Sequence, residues 1–137
     1  MAFENKVFIC SPFAPVSKEP EKREFELMDN IMTTQAACLY ALSKGNIPYA
    51  PHLYFTQFMD DSNPMVRELG QKFGSQWLEY CSEIWIIGRR ISDGMKKEIA
   101  KAKELGIPVK HYVDERTPEE RLKDALMYPD INFIEMV

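Results

Sequence analysis

The segment between a short apolar run and an amphipathic helical pattern carries the side chains best suited to chemistry. Arg89 and Arg90 follow the apolar run, and Ser92, Asp93 and Gly94 come directly before the helical pattern. Guanidinium groups bind phosphate oxygens, and the first amides of a helix bind anions because they lack partners within the helix. The spacing therefore indicates an anion-binding turn. The alternative is that Ser92 only caps the helix and the arginines are solvated.

Glu98 lies about one turn into the same helical pattern. It is three residues after Met95 and four before Ala102, so it borders the apolar stripe. A carboxylate in this position could attack C1' of a sugar and form a covalent intermediate. The nearby helix N-terminus would favour its ionised form. A solvated helix glutamate beside Lys101 is the alternative.

Further candidate ligand contacts lie in the first half of the chain, among them Arg67, a weaker candidate phosphate partner than Arg89 or Arg90. His52 follows the second predicted strand, where a neutral imidazole could bond a ligand hydroxyl or simply bond to backbone. The aromatic residues that could stack on a base, cover the sheet end or form a subunit contact are Phe13, Tyr54, Phe55 and Phe58. The two histidines of the chain are far apart in sequence, so they give no metal signature.

A strand–turn–helix–strand unit is predicted to position these groups. The apolar, β-branched run Glu83–Ile87 suits a buried strand. The residues that recur at helical spacing after it are Met95, Ile99, Ala102 and Leu105. Gly106 and Pro108 are predicted to end this helix, and a second strand to cover 107–111. Such a unit makes the two strands parallel and places ligands beyond their carboxyl ends.

The rest of the chain continues the alternation of strands and helices. Strands are predicted at 6–10 and 47–50, and 131–137 is a last strand or an arm. Helices are predicted at 21–44, 65–80 and 118–127, and loops at 14–21 and 52–64, the latter with room for one helical turn. This order predicts an α/β sandwich with a parallel sheet.

The chain length and the net charge limit the class of protein to which this sequence can belong. The 137 residues fit a single domain, 1–137, and the net charge of -4 argues against a nucleic-acid polymer as partner. No run approaches the roughly 18 apolar residues that cross a bilayer, and the N-terminus lacks a signal pattern. Cys10, Cys38 and Cys81 are too few and too widely spaced for a disulfide framework or a zinc site. These features predict a cytoplasmic protein with reduced thiols and neither metal nor cofactor.

A family resemblance lies in three segments, KVFICSPF, GNIPYAPHL and WLEYCSEIWIIGRRISDGMKKEIAKAKELGIPV. Together they resemble the nucleoside 2-deoxyribosyltransferase-like superfamily, and most closely its small, often phage-encoded members. The 2'-deoxynucleoside 5'-phosphate N-hydrolases are a characterised branch of it. The resemblance implies a flavodoxin-like three-layer sandwich with a parallel sheet of four to five strands. It also implies cleavage or transfer of N-glycosidic bonds by a homo-oligomer, dimer or higher.

The resemblance also implies roles for particular residues. Glu98 matches the glutamate nucleophile, while Ser92 and Ser11 match serines that hold a phosphate. The implied substrate-binding set is Ser11, Pro12, Phe13, His52, Arg89, Ser92, Gly94 and Met95. The most specific part of the resemblance is the Ser-x-Gly-x-x-x-Glu motif, which follows a predicted strand and continues into the predicted helix.

Two positions depart from the pattern of the hydrolases. Gly74 and Ser82 stand where those enzymes carry aspartates, so acid/base work would fall to other carboxylates, Asp60, Asp61 or Asp93. Three hypotheses follow from this. The first is an N-glycosidase or transferase acting through Glu98, the second a protein that binds a nucleotide or ADP-ribose-like ligand without turnover, and the third a structural oligomer with a vestigial site.

Overall fold

A five-stranded sheet in the order β2-β1-β3-β4-β5 forms the centre of the molecule. The computed structural model describes residues 5–60, 62–124 and 133–136. The strands are β1 (Lys6–Cys10), β2 (Ile47–Tyr49), β3 (Glu83–Ile87), β4 (Val109–Asp114) and β5 (Phe133–Met136). The first four run parallel, and β5 pairs antiparallel with β4 at the edge. The predicted α/β fold is confirmed, with one antiparallel strand added to a mostly parallel sheet.

Helices lie between the strands along the chain. They are α1 (Pro20–Ser43), α2 (Pro51–Phe55), α3 (Pro64–Gln76), α4 (Asp93–Glu104) and α5 (Pro118–Asp124). The segment predicted as a loop with room for one helical turn forms α2, which starts at Pro51 because proline suits a first helical position. The single helix predicted at 65–80 is α3 followed by a 3-10 turn, Trp77–Tyr80, a common ending for an α-helix.

Residue alternation along β1 sorts its side chains between the two faces of the sheet. Val7 and Ile9 pack in the core that contains Ala37 and Ala41 of α1. The core on the opposite face joins Phe8 and Cys10 to a set from the second half of the chain, Leu78, Ile84, Ile86, Met95 and Ala102. Successive strand residues point to opposite faces, so β1 supplies both cores.

The end of α4 explains why the following strand starts later than predicted. Gly106 has a positive φ of 74°, its amide donates to the carbonyl of Lys103, and the amide of Ile107 donates to the carbonyl of Ala102. These bonds form a Schellman motif that closes the helix. Ile107 is therefore part of the helix end, and β4 begins at Val109 rather than at residue 107.

The structure describes part of the C-terminal segment for which a helix and a strand are predicted. Helix α5 covers the first part of the predicted 118–127 helix, and the positions after 124 in that prediction lie outside the described residues. Within the predicted 131–137 segment, Phe133–Met136 is a strand. Among the described helices, none has both the length and the apolar character needed to span a bilayer.

Candidate functional site

A cavity of about 440 Å³ opens at the carboxyl edge of the sheet, on the face covered by α4. Its walls come from the loop after β1, the start of α2, one side of α3, and the turn that leads from β3 into α4. The predicted site residues that line it are Phe13, His52, Phe55, Arg90, Ser92, Asp93, Gly94, Met95 and Glu98. Ligands of α/β sheets collect at this edge because the loops there form the crevice.

Glu98 contributes a buried carboxyl group to this cavity. The residue is 8% exposed, and the Sγ atom of Cys10 donates a hydrogen bond to its Oε1 at 3.4 Å. Burial raises the pKa of Glu98 from 4.5 to about 7, and the bond from Cys10 counteracts part of that rise. Glu98 is therefore divided between its protonated and ionised forms at neutral pH.

The start of α4 is held by local bonds. The Ser92 hydroxyl accepts a hydrogen bond from the Met95 amide at 3.3 Å, so Ser92 is the N-cap of the helix. A Cβ atom on Gly94 would come within 2.9 Å of Nε2 of Gln71. Glycine therefore lets the amide side chain of Gln71 approach the first turn of α4 from α3, where it lines the cavity.

Of the two arginines predicted to bind an anion after β3, one lines this cavity. Arg90 lines it, and its Nη2 atom donates to the carbonyl of Ala14 at 3.3 Å. Arg67 of α3 lines it as well and makes no ion pair within the described part of the chain. Arg89 lies elsewhere, since its guanidinium pairs with Glu115 at 2.7 Å. The structure thus brings Arg90 and Arg67 to the cavity rather than Arg89.

His52 lies in α2 with its ring stacked on Phe13. The two ring centroids are 5.4 Å apart and the rings are inclined by 19°. Burial, with a smaller contribution from the charge of Arg67, lowers the pKa of His52 from 6.5 to about 4. The imidazole is therefore neutral at physiological pH and offers one donor and one acceptor.

Ser11 and Pro12 line a different cavity, on the α1 face of the sheet. This second cavity measures about 330 Å³ and includes Arg89. Ser11 is 1% exposed, and its hydroxyl is 2.8 Å from that of Thr34 in α1. The reason is the alternation of β1, which places Cys10 toward α4 and the next side chain toward α1. The structure therefore does not bring Ser11, Pro12 and Arg89 beside Glu98.

Gly74 and Ser82 stand at the two positions where the resemblance implies aspartates. Gly74 is buried against α2, and a Cβ there would lie 3.0 Å from Cβ of Pro51, so a larger side chain would require Pro51 to shift. The Ser82 amide donates to the Lys6 carbonyl at 2.7 Å. Ser82 therefore lies at the start of β1 and β3, at the opposite edge of the sheet from the cavity.

The alternative acids are unequally placed. Asp93 borders the cavity at the start of α4, but its side chain is 97% exposed and its carboxylate is 3.8 Å from Nζ of Lys96. Asp60 caps a turn instead, because it accepts hydrogen bonds from the amide and hydroxyl of Ser62 at 3.0 and 2.6 Å. Asp61 lies outside the described residues. Asp93 is thus the candidate acid that shares the cavity with Glu98.

Three residues at or beside the cavity receive little or no weight in the sequence analysis. Cys10 is treated there only as a reduced thiol, Gln71 is not considered, and Arg67 is the weaker arginine candidate. The alternation of side chains along β1 could have indicated that Cys10 faces α4, because Phe8 and Cys10 lie on the same face of the strand. Gln71 carried no such signal, since the approach of α3 to α4 depends on tertiary packing. Within the described residues, no three His, Cys, Asp or Glu side chains are placed to hold a metal ion.

The strand order, the helices on both faces and the cavity at the carboxyl edge define an α/β protein of flavodoxin-like architecture. The chain belongs to the family described as Domain of unknown function (DUF7768), which it matches over residues 5–112. This match contains β1 through most of β4 and all the residues that line the cavity.

Comparison with other proteins supports the fold. No curated protein matches the chain. Among solved structures it is similar to the 2-deoxyribosyltransferase of the psychrotolerant bacterium Bacillus psychrosaccharolyticus, with a TM-score of 0.55 and 17% sequence identity. The similarity covers 79% of this chain and 72% of that chain. At this identity the likeness shows a shared fold, which confirms the predicted architecture.

Proposed function

We propose that this protein cleaves or transfers the N-glycosidic bond of a nucleoside or nucleotide, with Glu98 as the nucleophile. One observation carries the proposal. Glu98 is a buried carboxyl group at the wall of a cavity, one turn from the start of α4, and its only hydrogen-bond partner in the described chain is a thiol. A buried carboxylate with few donors is more reactive than a solvated one, because no water shell must be removed.

The reaction would proceed in two displacements. A carboxylate oxygen of Glu98 attacks C1' of the sugar, the C1'–N bond breaks, and the base leaves with the bonding electrons. Water, or Asp93 acting as general acid, supplies the proton that the base takes up, and the proton of the attacking group later returns to it. Water then attacks C1' in hydrolysis, or a second base attacks it in transfer, and the ester bond to Glu98 breaks to restore the carboxylate.

An anionic group on the substrate would fit the side of the cavity that holds Arg67 and Arg90. The amides of Asp93 and Gly94 lie at the start of α4, where the helix dipole favours negative charge. Two guanidinium groups and a helix N-terminus favour a 5'-phosphate over an uncharged 5'-hydroxyl. We therefore propose a nucleoside 5'-monophosphate as the preferred substrate, with Ser92 holding the helix start in place.

The other wall of the cavity would bind the nucleoside. Phe13 and His52 present a stacked pair of rings, and neutral His52 can donate to or accept from a sugar hydroxyl or a base edge. Gln71 offers an amide that can both donate and accept. The likeness to a 2-deoxyribosyltransferase supports a nucleoside as the ligand class.

Base release tests the proposal directly. The protein is incubated with a panel of 2'-deoxynucleosides, ribonucleosides and their 5'-monophosphates, and the free base is measured by chromatography. Glu98→Gln is expected to lower the rate at least about 1000-fold, because the amide is not a nucleophile. The matched control is Glu104→Gln, which removes an exposed carboxylate from the same helix. Base release that survives in Glu98→Gln would refute the role of Glu98.

Binding without turnover is the second candidate, and one observation favours it. Gly74 carries no carboxylate where the resemblance implies an aspartate, so the site holds one acid fewer than that pattern requires. In that case a nucleoside 5'-monophosphate would raise the melting temperature of the protein without release of base. The same panel therefore separates the two candidates.

The proposal includes a cytoplasmic homo-oligomer. Tyr54 and Phe58 of the aromatic segment beside the cavity are each 62% exposed, which makes them candidates for a subunit contact. Size-exclusion chromatography with light scattering would give the subunit count. A monomer at micromolar concentration would contradict this part of the proposal.

A further inference from the structure

Cys10 lies directly beneath the first turns of α4. It is the last residue of β1, it is fully buried, and its Sγ atom is 3.4 Å from Oε1 of Glu98. The carbonyl oxygen of Met95 is also near, at 3.9 Å. The thiol has a single proton, and the shorter of the two distances leads to the carboxylate.

We propose that Cys10 is a positioning residue that holds Oε1 of Glu98 and leaves Oε2 free to face a ligand in the cavity. No described residue donates a hydrogen bond to Oε2. The role of Oε2 as a nucleophile rests on the proposed function. The contact between the thiol and the carboxyl group can be tested without it.

A thiol suits this role because it orients the carboxylate while neutralising little of its charge. Thiols are weak donors, whereas a guanidinium or ammonium group would stabilise the carboxylate strongly and reduce its reactivity. Burial, followed by the charge and hydrogen bond of Glu98, raises the pKa of Cys10 far above its ordinary range. The thiol therefore keeps its proton and acts as a donor at any physiological pH.

Other polar groups near Glu98 do not replace this contact. The titratable groups that line the cavity or interact with its charge are Tyr49 of β2, His52 of α2, Arg67 of α3, Arg90 in the turn before α4, and Asp93 at the start of α4. None of these, as far as the chain is described, forms a hydrogen bond to the Glu98 carboxyl group. Cys10 is thus the group whose removal should change the ionisation of Glu98 most directly.

The first test needs no substrate. The free energy of unfolding is measured in urea at pH 5.5 and pH 8.5 for the unmodified protein, Cys10→Ala, Glu98→Gln and the double variant. A bond to the ionised carboxylate predicts that Cys10→Ala lowers the folded-to-unfolded ratio about 3- to 10-fold more at pH 8.5 than at pH 5.5. This extra loss should vanish when Glu98→Gln is also present. Equal losses in both backgrounds at both pH values would overturn the proposal.

The second test follows base release against pH. Cys10→Ala should move the midpoint of the kcat/KM profile upward by about half a unit to one unit, because the carboxylate loses its donor. Cys10→Ser should restore the midpoint, since a hydroxyl also donates. Cys38→Ala is the matched control, because Cys38 packs on the α1 side of the sheet. A uniform loss of rate with an unchanged midpoint in Cys10→Ala would mean a purely structural role and would count against the proposal.

The two tests separate the failure of this inference from failure of the proposed function. If the unmodified protein releases no base, the glycosidase proposal fails, while the unfolding experiment still decides whether the thiol holds Glu98. If base is released but the unfolding energies show no coupling, the glycosidase proposal stands and Cys10 is only a packing residue.

Discussion

At the scale of single residues, burial shifts the pKa values of two side chains in the cavity. Glu98 has a pKa of about 7 and His52 a pKa of about 4, and in both cases desolvation is the main cause. Both groups are therefore shifted toward their neutral forms. Arg67 and Arg90 lie beside them and form no ion pair with any residue that the structure describes, so an anionic ligand would meet two guanidinium groups in the cavity.

Arg90 and Arg89 give a matched pair that tests where the phosphate binds. Arg90→Ala is expected to raise KM for a nucleoside 5'-monophosphate by about 10- to 100-fold, because a charge-assisted bond is lost. The corresponding free nucleoside should be affected little. Arg89→Ala should change neither KM, because that guanidinium pairs with Glu115. A larger effect from Arg89→Ala would contradict the placement of the two arginines.

At the scale of secondary-structure elements, α4 carries two parts of the proposed site. Its N-terminus forms the proposed anion-binding turn, and its second turn carries the Glu98 carboxyl group. Its beginning is fixed by the Ser92 cap and its end by the Schellman motif at Gly106. Glu98 therefore lies at a fixed distance and rotation from the first-turn amides. Ser92 caps the helix, and we propose that the same turn also binds the anionic group of a ligand.

Substitutions of Ser92 can separate those two functions. Ser92→Ala should destabilise the protein by about 1 kcal/mol, because the Met95 amide loses its acceptor. Ser92→Asp should keep the stability, since aspartate is also a good N-cap, but it should weaken binding of a nucleoside 5'-monophosphate by charge repulsion. Urea unfolding and thermal shift with the nucleotide measure the two effects. Equal nucleotide binding in both variants would argue against a phosphate at this turn.

At the scale of the whole molecule, the stability of the protein should depend on the ionisation of Glu98. Its pKa is raised from 4.5 to about 7 on folding, so the folded state binds more protons between these values. The contribution of Glu98 to stability is therefore greatest below pH 4.5 and is lost as pH rises through 7. The shift corresponds to about 3 kcal/mol across this range.

A comparison with Glu98→Gln isolates this effect. Glutamine does not ionise, and His52 titrates in both proteins, so its opposite contribution cancels. The free energy of unfolding of the unmodified protein should fall by about 3 kcal/mol relative to Glu98→Gln between pH 4.5 and pH 8.5. Chemical denaturation across this range measures it. Parallel pH profiles for the two proteins would show that Glu98 has an ordinary pKa and is not desolvated.

Much of the fold and part of the site were predictable from local patterns. The apolar run of β3, the cap at Ser92 and the helical spacing around Glu98 depend on residues close together in sequence, and each predicts one element. These features located α4 and the edge of the sheet where the cavity opens. They also placed Glu98 beside the buried stripe of its helix, because helical periodicity fixes that relation.

The tertiary structure decided which of the candidate groups meet. Ser11 and Cys10 are neighbours in sequence, yet strand alternation sends one to α1 and the other to Glu98. Arg89 and Arg90 diverge in the same way, toward Glu115 and toward the loop at Ala14. Local sequence determines what an element is, but the face that each side chain occupies depends on strand register and on helix packing across the sheet, which only the folded chain defines.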